Sequence, residues 1–358
     1  MFDSVSTGGH EQILFGFDPV SGLRTIIAIH STALGPALGG TRFYPYESEA
    51  DALIDVLRLS KGMTYKAAAA GLDLGGGKAV IIGDPRTSSS ERFLRAYGRI
   101  VDSLQGRYIT AEDVGTTAAD MEMVRRETPW ALGIPVPEGG SGDPSPLTAV
   151  GLFAGVQAVA QRLWGVMDIE GKKFAVQGVG KVGRPFVELL VANGAEVVIS
   201  DANEATGASV SDEFGSKMVD PDEILEVDCD ILSPCALGAV FDDLTIPKLA
   251  CAAIAGSANN QLLEDRHATD IADRGILYAP DFVVNAGGLI NVAEELRGYE
   301  RSRALHRVEA LRGATTAVFR EADRLGVNPH KAAVAKAERR IKDIGDLRRF
   351  RRSGTDRN

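Results

Sequence analysis

The sequence predicts an α/β protein of two domains, and three observations support this fold class. Short apolar strands alternate with helical segments along most of the 358 residues, an order typical of sheets that are covered by helices. In the second half, a Gly-x-Gly-x-x-Gly turn joins a strand to a helix. A glycine- and proline-rich stretch, residues 138–146, separates the two halves and is predicted to be a linker.

The overall composition limits the possible functions. With 44% apolar and 25% charged residues, the chain is predicted to be globular. Its net charge of −10 argues against nucleic acid or an anionic membrane as a partner, and no apolar run is long enough to span a bilayer. The three cysteines have no metal-ligand or redox spacing, and no signal peptide precedes the fold. We therefore predict no metal site and a cytoplasmic location.

The first domain begins with two predicted strands, Ile13–Phe17 and Leu23–Ile29, which are joined by a turn. Residues 34–42 are rich in glycine and are predicted to form a loop that approaches a ligand. Ser48 fits the N-terminal cap of a helix, and that helix carries Lys66 near its end.

Two lysines, Lys66 and Lys78, follow in sequence, the second directly after the triplet Gly75–Gly77. A phosphate-binding loop is excluded because it needs Ser or Thr after the lysine and then a helix, whereas Ala79 and an apolar strand follow here. Lysines are usually solvated. If these two lie close together and partly buried, each lowers the pKa of the other, so that one could hold a carboxylate and the other act as a base. The lysines alone leave both interpretations open.

Two helices and a strand complete the first domain. One helix is predicted after Ser89, and a second spans residues 116–126. Between them, a strand that begins at Tyr108 ends in two acids, Glu112 and Asp113. This alternation makes the first domain α/β.

The second domain opens with a long predicted helix from Thr148 to Leu163. A strand, Lys173–Gln177, then leads into the glycine-rich turn and a further helix. The next strand ends at Asp201. Strand, turn and helix in this order, with an acid at the end of the following strand, are typical of a dinucleotide-binding Rossmann domain.

In this turn, the glycines let a pyrophosphate reach the backbone N–H groups at the start of the helix, and Asp201 can accept from the ribose hydroxyls. The alternative is a glycine-rich turn with a structural role only. The residues of the turn that are predicted to bind the cofactor are Gly178, Gly180, Lys181, Val182 and Gly183.

Two later strands are predicted at Cys229–Leu232 and Ala252–Ala255, and the second runs into Asn260. Amides at the carboxyl end of a parallel strand lie where such sheets bind ligands, although asparagines are also common in turns. A long helical region is predicted up to about Ile344, before a polar basic tail at residues 348–358.

Together these motifs resemble the amino-acid dehydrogenase family that acts on glutamate, leucine, valine and phenylalanine. The similarity extends from about Leu14 to Arg340 and is closest to leucine and valine dehydrogenases; the basic tail has no part in it. The motifs that carry it are Leu38-Gly-Gly-Thr-Arg, Gly62-Met-Thr-Tyr-Lys66, Gly75-Gly-Gly-Lys78, Glu112-Asp-Val-Gly-Thr-Thr, Gly178-Val-Gly-Lys-Val-Gly183, Ala258-Asn-Asn260 and Asn285-Ala-Gly-Gly.

The resemblance implies a homo-oligomeric enzyme that uses NAD to deaminate a branched-chain L-amino acid reversibly to a 2-oxo acid and ammonia. Leucine is the first choice of substrate, before valine and then phenylalanine. Lys66 would hold the substrate α-carboxylate with help from the backbone of Gly39 and Gly40. Lys78, with a lowered pKa, would activate the attacking water, and Asp113 would carry protons to and from the nitrogen.

The same resemblance implies where cofactor and side chain bind. Asn260 would orient the nicotinamide, with Thr148 close by. Family members that use glutamate have a lysine where this chain has Leu38, so the side-chain pocket would be apolar. Its residues would be Leu38, Ala111, Leu289 and Val292, for each of which plain core packing is the alternative.

The predicted domains are a substrate domain at residues 1–140, joined by C-terminal helices at about 325–347, and an NAD-binding domain at residues 141–324, with a cleft between them. Two other classes of protein share part of the pattern. A dinucleotide sensor without activity would have no use for both lysines and Asp113. Dehydrogenases of hydroxy acids more often use a His–Asp pair as their base, and none of the five histidines lies in such a setting.

Overall fold

The structure is a computed structural model that describes residues 8–347; the predicted basic tail lies outside the described residues. The chain divides into two compact units. Unit 1 comprises the residues up to Asp143, Val292–Glu300 and the residues from Ala337 on, and unit 2 comprises Pro144–Asn291 and Arg301–Lys336. Each unit contains its own sheet with helices, so the predicted two-domain α/β fold class is confirmed.

The sheet of unit 1 has five strands: β1 (Gln12–Asp18), β2 (Leu23–Ser31), β3 (Ala37–Tyr44), β4 (Gly75–Ile82) and β5 (Tyr108–Glu112). Their order is β1-β2-β4-β3-β5. β1 and β2 form an antiparallel hairpin, β2 is antiparallel to β4, and β3 lies parallel between β4 and β5. The carboxyl ends of β3, β4 and β5 therefore share one edge of the sheet.

The predicted loop at residues 34–42 is wrong, because most of it belongs to strand β3, which is paired along both edges. Glycine is depleted in strands, which is why Gly39 and Gly40 misled the prediction. A Cβ atom on Gly39 would lie only 1.8 Å from the carbonyl oxygen of Gly77. The glycine is needed here for close packing within a sheet.

Four helices of unit 1 are α1 (Glu49–Ala69), α2 (Pro85–Ser88), α3 (Glu91–Asp102) and α4 (Ala118–Arg125). The predicted cap of α1 is confirmed, since the Ser48 hydroxyl accepts from the backbone N–H of Asp51 at 3.1 Å. α1 covers one face of the sheet through a core that includes Val56 and Val80. α3 and α4 cover the opposite face.

The sheet of unit 2 consists of β6 (Lys173–Gln177), β7 (Glu196–Ser200), β8 (Lys217–Met218), β9 (Cys229–Pro234), β10 (Cys251–Ile254) and β11 (Leu277–Tyr278). All its pairings are parallel, in the order β11-β10-β9-β6-β7-β8. This is the strand order of a dinucleotide-binding Rossmann fold, whose ligands bind at the carboxyl ends of the strands where the order reverses. That point lies between β6 and β9.

The remaining helices are α5 (Ser145–Trp164), α6 (Gly183–Ala192), α7 (Glu204–Phe214), α8 (His267–Asp273), α9 (Asp281–Val284), α10 (Gly287–Ala293), α11 (Arg301–Glu309), α12 (Leu311–Leu325) and α13 (Pro329–Leu347). The predicted helical region near the C-terminus is thus divided into several helices. α5 packs against α6, α11 and α12. Among residues 8–347, no helix combines the length and apolar character that crossing a bilayer requires.

Candidate active site

Lys78, in the middle of β4, and Asp113, directly after the end of β5, form a largely buried ion pair. The Lys78 Nζ atom lies 2.7 Å from Asp113 Oδ2, with side-chain exposures of 7% and 23%. Lys78 pairs with Ala28 across the sheet, and Ala28 packs in the core beneath α1, so Lys78 lies on the face that α1 covers. The structure brings together the two residues that were predicted to do acid–base chemistry.

A second cation holds the same carboxylate. Arg42, on β3, places its Nε atom 3.3 Å from Asp113 Oδ2 and an Nη atom 2.9 Å from Asp55 Oδ2 on α1. Burial raises the pKa of the Asp113 carboxyl, but the charges of Lys78 and Arg42 outweigh burial and hold that pKa below its ordinary value. Asp113 is therefore ionised at neutral pH and is available to accept a proton.

The sequence prediction missed the charged network behind Asp113. Tyr46 donates a hydrogen bond of 2.7 Å to Asp55, and Asp55 in turn accepts from Arg42. Burial and the neighbouring Asp55 raise the pKa of Tyr46 well above its ordinary value, so this hydroxyl stays a donor. Arg42 is the last residue of the motif that begins at Leu38, and its place in that motif was the sequence signal from which it could have been found.

Gly40 explains how Asp113 can lie so close to β3. A Cβ atom at Gly40 would be 2.9 Å from the Cβ of Asp113 and 2.4 Å from the carbonyl oxygen of Glu112. Both distances are shorter than van der Waals contact, and the carbonyl belongs to backbone that cannot rotate away. Because Gly40 has no side chain, the segment that begins at Asp113 can lie close against β3.

We expect Gly40→Ala to lower the free energy of unfolding by about 1–3 kcal/mol, the usual cost of overpacking. Urea denaturation measures this change. The matched control is Gly313→Ala, in the exposed interior of α12 where a Cβ would meet nothing within 4 Å, and it should raise stability by up to about 1 kcal/mol. Equal stability of the two variants would contradict the steric argument.

Lys66 lies in the last turn of α1 and is partly exposed. The end of α1 packs closely on β4. A Cβ atom on Gly76 would lie only 2.1 Å from the backbone nitrogen of Thr64. Thr64 precedes Lys66 by two residues, and Gly76 precedes Lys78 by two residues. The glycine triplet therefore serves close helix–strand packing.

The four predicted pocket residues are all buried, with exposures of 1–8%. Leu38 pairs with Gly76 on β4 and with Ile109 on β5, while Ala111 pairs with Gly40. α10 carries the other two residues: Leu289 belongs to unit 2 and Val292 to unit 1. Burial suits a ligand pocket and ordinary core packing equally, so the pocket stays a prediction.

The glycine-rich turn of unit 2 has the geometry that a dinucleotide requires. A Cβ on Gly183 would lie 2.0 Å from the carbonyl oxygen of Gly178, so this glycine allows the helix to pack on the turn. A Cβ on Gly180 would meet nothing within 4 Å. α6 begins at Gly183 with no side chain capping its start. The exposed backbone around Gly180 and the uncapped N–H groups suit a pyrophosphate.

Asp201 lies at the end of β7, beside the same turn. Its Oδ2 atom accepts from the backbone N–H of Val179 at 2.9 Å, and its Oδ1 atom accepts from that of Asn203 at 2.8 Å. These bonds fix the carboxylate, and each oxygen retains capacity to accept from a ribose hydroxyl. Lys181 is exposed and Val182 is half-buried in the turn.

Asn260 is exposed after β10 and has a left-handed backbone, with φ of 52°. Its carbonyl oxygen accepts from the N–H of Ala239, which follows β9. Asn285 stabilises this loop, since its amide donates to Asn259 Oδ1 at 2.9 Å. The loops after β9 and β10 are thus joined at the carboxyl edge of the sheet.

Thr148 lies in the first turn of α5 and donates to the carbonyl of Pro144 at 2.9 Å. A Cβ on Gly288 would be 2.7 Å from the Thr148 hydroxyl oxygen. The second glycine of the Asn285-Ala-Gly-Gly motif therefore allows the start of α10 to approach Thr148.

Within the part of the chain that the structure describes, one group of possible metal ligands occurs: Asp243, His267 and Asp270. The Nδ1 atom of His267 accepts from the backbone N–H of Glu264 at 3.0 Å, so the proton of the neutral ring lies on Nε2. Arg266 contacts both carboxylates. A protonated Nε2 and a competing arginine suit an ion-pair network better than a metal ion.

Comparison with known proteins gives two matching family models. The dimerisation domain of Glu/Leu/Phe/Val dehydrogenases matches residues 12–130. The Glutamate/Leucine/Phenylalanine/Valine dehydrogenase model matches residues 139–206 and 199–348. The two models together span nearly the whole chain.

Individual relatives are similar over the same span. A leucine dehydrogenase of Bacillus cereus is 51% identical over 357 residues, which cover 99% of this chain and 98% of the relative. A valine dehydrogenase of Streptomyces virginiae is 51% identical over 94% of this chain and 95% of its own length. The crystal structure of an L-tryptophan dehydrogenase from Nostoc punctiforme superimposes with a TM-score of 0.84 at 42% identity, covering 97% of this chain and all of that one.

Proposed function

The chain belongs to the Glu/Leu/Phe/Val dehydrogenase family, as its motifs predicted, and we propose that it deaminates leucine with NAD. It is an amino-acid dehydrogenase. The products would be the 2-oxo acid and ammonia, in a reversible reaction, with valine as the second substrate. The observation that carries this proposal is the buried contact of 2.7 Å between Lys78 and Asp113, in a chain about half identical to leucine dehydrogenases.

In the proposed mechanism, three side chains of unit 1 act on the substrate. Lys66 binds the α-carboxylate, with the backbone at Gly39 and Gly40. Lys78 orients and activates the water that attacks the carbon of the imino acid. Asp113, ionised and held by Lys78, takes protons from the nitrogen and returns them. Asp113 suits its part because its lowered pKa keeps the carboxyl ionised at neutral pH, in the form that can accept a proton.

The assay that tests the proposal is the reverse reaction. Purified protein should oxidise NADH when the 2-oxo acid of leucine and ammonium are both present. Omitting ammonium should abolish turnover, because the nitrogen is a reactant. Turnover without ammonium would instead indicate a hydroxy-acid dehydrogenase.

The cofactor is a nicotinamide dinucleotide, as the family and its Rossmann domain imply. When bound, its nicotinamide ring accepts the hydride from the substrate Cα. The open backbone at Gly180 and the start of α6 would hold the pyrophosphate, together with Lys181 and Val182. Asp201 would hold the adenosine ribose, and Asn260 and Thr148 would orient the nicotinamide.

We propose NAD and not NADP as the cofactor, because a 2′-phosphate beside the Asp201 carboxylate would be repelled. Like charges brought together cost several kcal/mol, so kcat/KM should favour NAD by about 10²-fold or more. Asp201→Asn should reduce this preference, whereas Asp212→Asn on the exposed side of α7 should leave it unchanged. Comparable kcat/KM for the two cofactors in the unmodified protein would refute the proposal.

A homo-oligomer is proposed for the assembly. Residues 12–130 match a domain that is described as a dimerisation domain. In that range, edge strand β1 exposes Phe15 and Phe17, at 54% and 68%. Large apolar side chains on an open sheet edge are typical of surfaces that a second chain covers.

A cytoplasmic location is proposed from the cysteines. Cys229, Cys235 and Cys251 are free thiols. Burial raises the pKa of Cys229 and Cys251 to about 12, so both remain protonated and unreactive. Free thiols of this kind suit a reducing compartment.

A further inference from the structure

Glu295 lies in a short segment, here called the return, in which the chain passes from unit 2 back into unit 1. This return, Val292–Glu300, begins within α10 and continues as a turn of 3₁₀ helix, Glu294–Arg297. It carries Val292, the pocket residue of unit 1, three positions before Glu295. Whatever fixes this return therefore also fixes Val292.

The Glu295 carboxylate makes that attachment through backbone N–H groups. Its Oε1 atom accepts from the N–H of Ser141 at 2.6 Å and from that of Gly133 at 3.0 Å, and its Oε2 atom lies 3.1 Å from the Gly133 nitrogen. Bonds from N–H groups to a carboxylate are stronger than those between neutral groups. One side chain thus joins the return to two points of a single loop.

That loop runs directly beside strand β5. Leu132 donates to the carbonyl of Thr110 at 2.9 Å, and Ala131 bridges to Thr110. At Gly133, a Cβ atom would lie 3.9 Å from the Cβ of Ala111. Gly133 is therefore a direct neighbour of Ala111, another predicted pocket residue, and Asp113 follows two residues later.

We propose that Glu295 is a positioning residue for the substrate side-chain pocket. Its carboxylate ties the segment that carries Val292 to the loop that supports Ala111, and so sets the distance between two walls of the pocket. This inference rests on the proposed function. It extends that function by naming a residue outside the sequence motifs that controls the choice between leucine and valine.

The test compares Glu295→Ala, Glu295→Asp and Glu295→Gln by steady-state kinetics with leucine and valine. A displaced pocket wall should raise KM for leucine in Glu295→Ala about tenfold or more and change the leucine-to-valine ratio of kcat/KM, because small misplacements are costly. Glu295→Asp is one methylene too short for both contacts and should show an intermediate effect. Glu295→Gln should retain most activity, since one amide oxygen can accept both bonds that Oε1 accepts now.

Two measurements separate a positioning role from general damage. NADH affinity, a property of unit 2, should stay unchanged in all three variants, and Glu309→Ala on the exposed surface of α11 should behave as the unmodified protein. If Glu295→Asp and Glu295→Ala both keep the original KM and substrate ratio, the inference is overturned. Failure of the unmodified protein to oxidise any amino acid would refute the proposed function itself.

Discussion

Replacing Lys78 with alanine should lower kcat by about 10²–10⁴-fold, the usual contribution of a positioned base. The proposed water would lose the amine that orients and activates it, and Asp113 would lose the nearer of its two cations. Arg42 would remain beside the carboxylate, so Asp113 would still be paired. The loss should appear in kcat with leucine, measured at saturating substrate and cofactor.

NADH titration decides whether the fold survives, because the proposed cofactor residues all lie in unit 2. Lys78→Ala should bind NADH as the unmodified protein does, and Lys61→Ala, an exposed lysine of α1, should keep full activity. Asp113→Asn should lose a similar factor, since an amide cannot accept the proton. A Lys78→Ala variant with near-normal kcat would remove Lys78 from the mechanism.

The contact between Lys78 and Asp113 was predictable only through the resemblance. Asp113 follows the carboxyl end of β5, whereas Lys78 lies in the middle of β4, so their contact depends on where these two strands lie in the sheet. Strand order, however, depends on pairing between distant segments. β3 lies between β4 and β5, and its glycines were interpreted as a loop. If β3 is left out of the sheet, the proximity of Lys78 and Asp113 cannot be derived from local sequence patterns.

The dinucleotide turn was predictable because its determinants are local. Gly178, Gly183 and the strand–helix junction lie within a few residues of one another. The steric demand on Gly183 comes from the carbonyl oxygen of Gly178 in the same turn, and Gly178 itself has a left-handed backbone, with φ of 90°. Asp201 also lies at a fixed interval after the turn. Local geometry of this kind leaves a direct trace in the sequence.

Glu295 left no comparable trace in the sequence, and Arg42 left only its place in the motif that begins at Leu38. Arg42 meets Asp113 across 71 positions of sequence, and Glu295 meets Gly133 across 162. A charged residue with a distant partner looks the same in sequence as a solvated one. The structure distinguishes the paired residue from the solvated one, because it shows which charged groups are buried beside a partner. Removing one partner of a buried pair leaves the other unsatisfied, which is costly.

The predicted side-chain pocket accounts for the largest difference in kcat/KM that we expect between amino acids. Leu38 is 1% exposed and lies on β3, in register with Gly76 at the start of the Lys78 strand. The resemblance implies a lysine at this position in family members that use glutamate. In this chain a glutamate side chain would lose its hydration beside Leu38 and gain no cation, which costs several kcal/mol.

We therefore expect leucine to lead a panel of leucine, valine, isoleucine, phenylalanine and glutamate, with valine second and glutamate lower in kcat/KM by about 10³-fold or more. That factor corresponds to roughly 4 kcal/mol at 1.4 kcal/mol per tenfold. Among the branched substrates the differences should be smaller, because one methylene in an apolar pocket is worth about 1–3 kcal/mol. Leu38 is bulky for a pocket that accepts a phenyl ring, so phenylalanine should follow the branched substrates. Initial rates of NAD reduction across the panel measure this order, and a lead by phenylalanine or glutamate would contradict the assignment of Leu38 to the pocket.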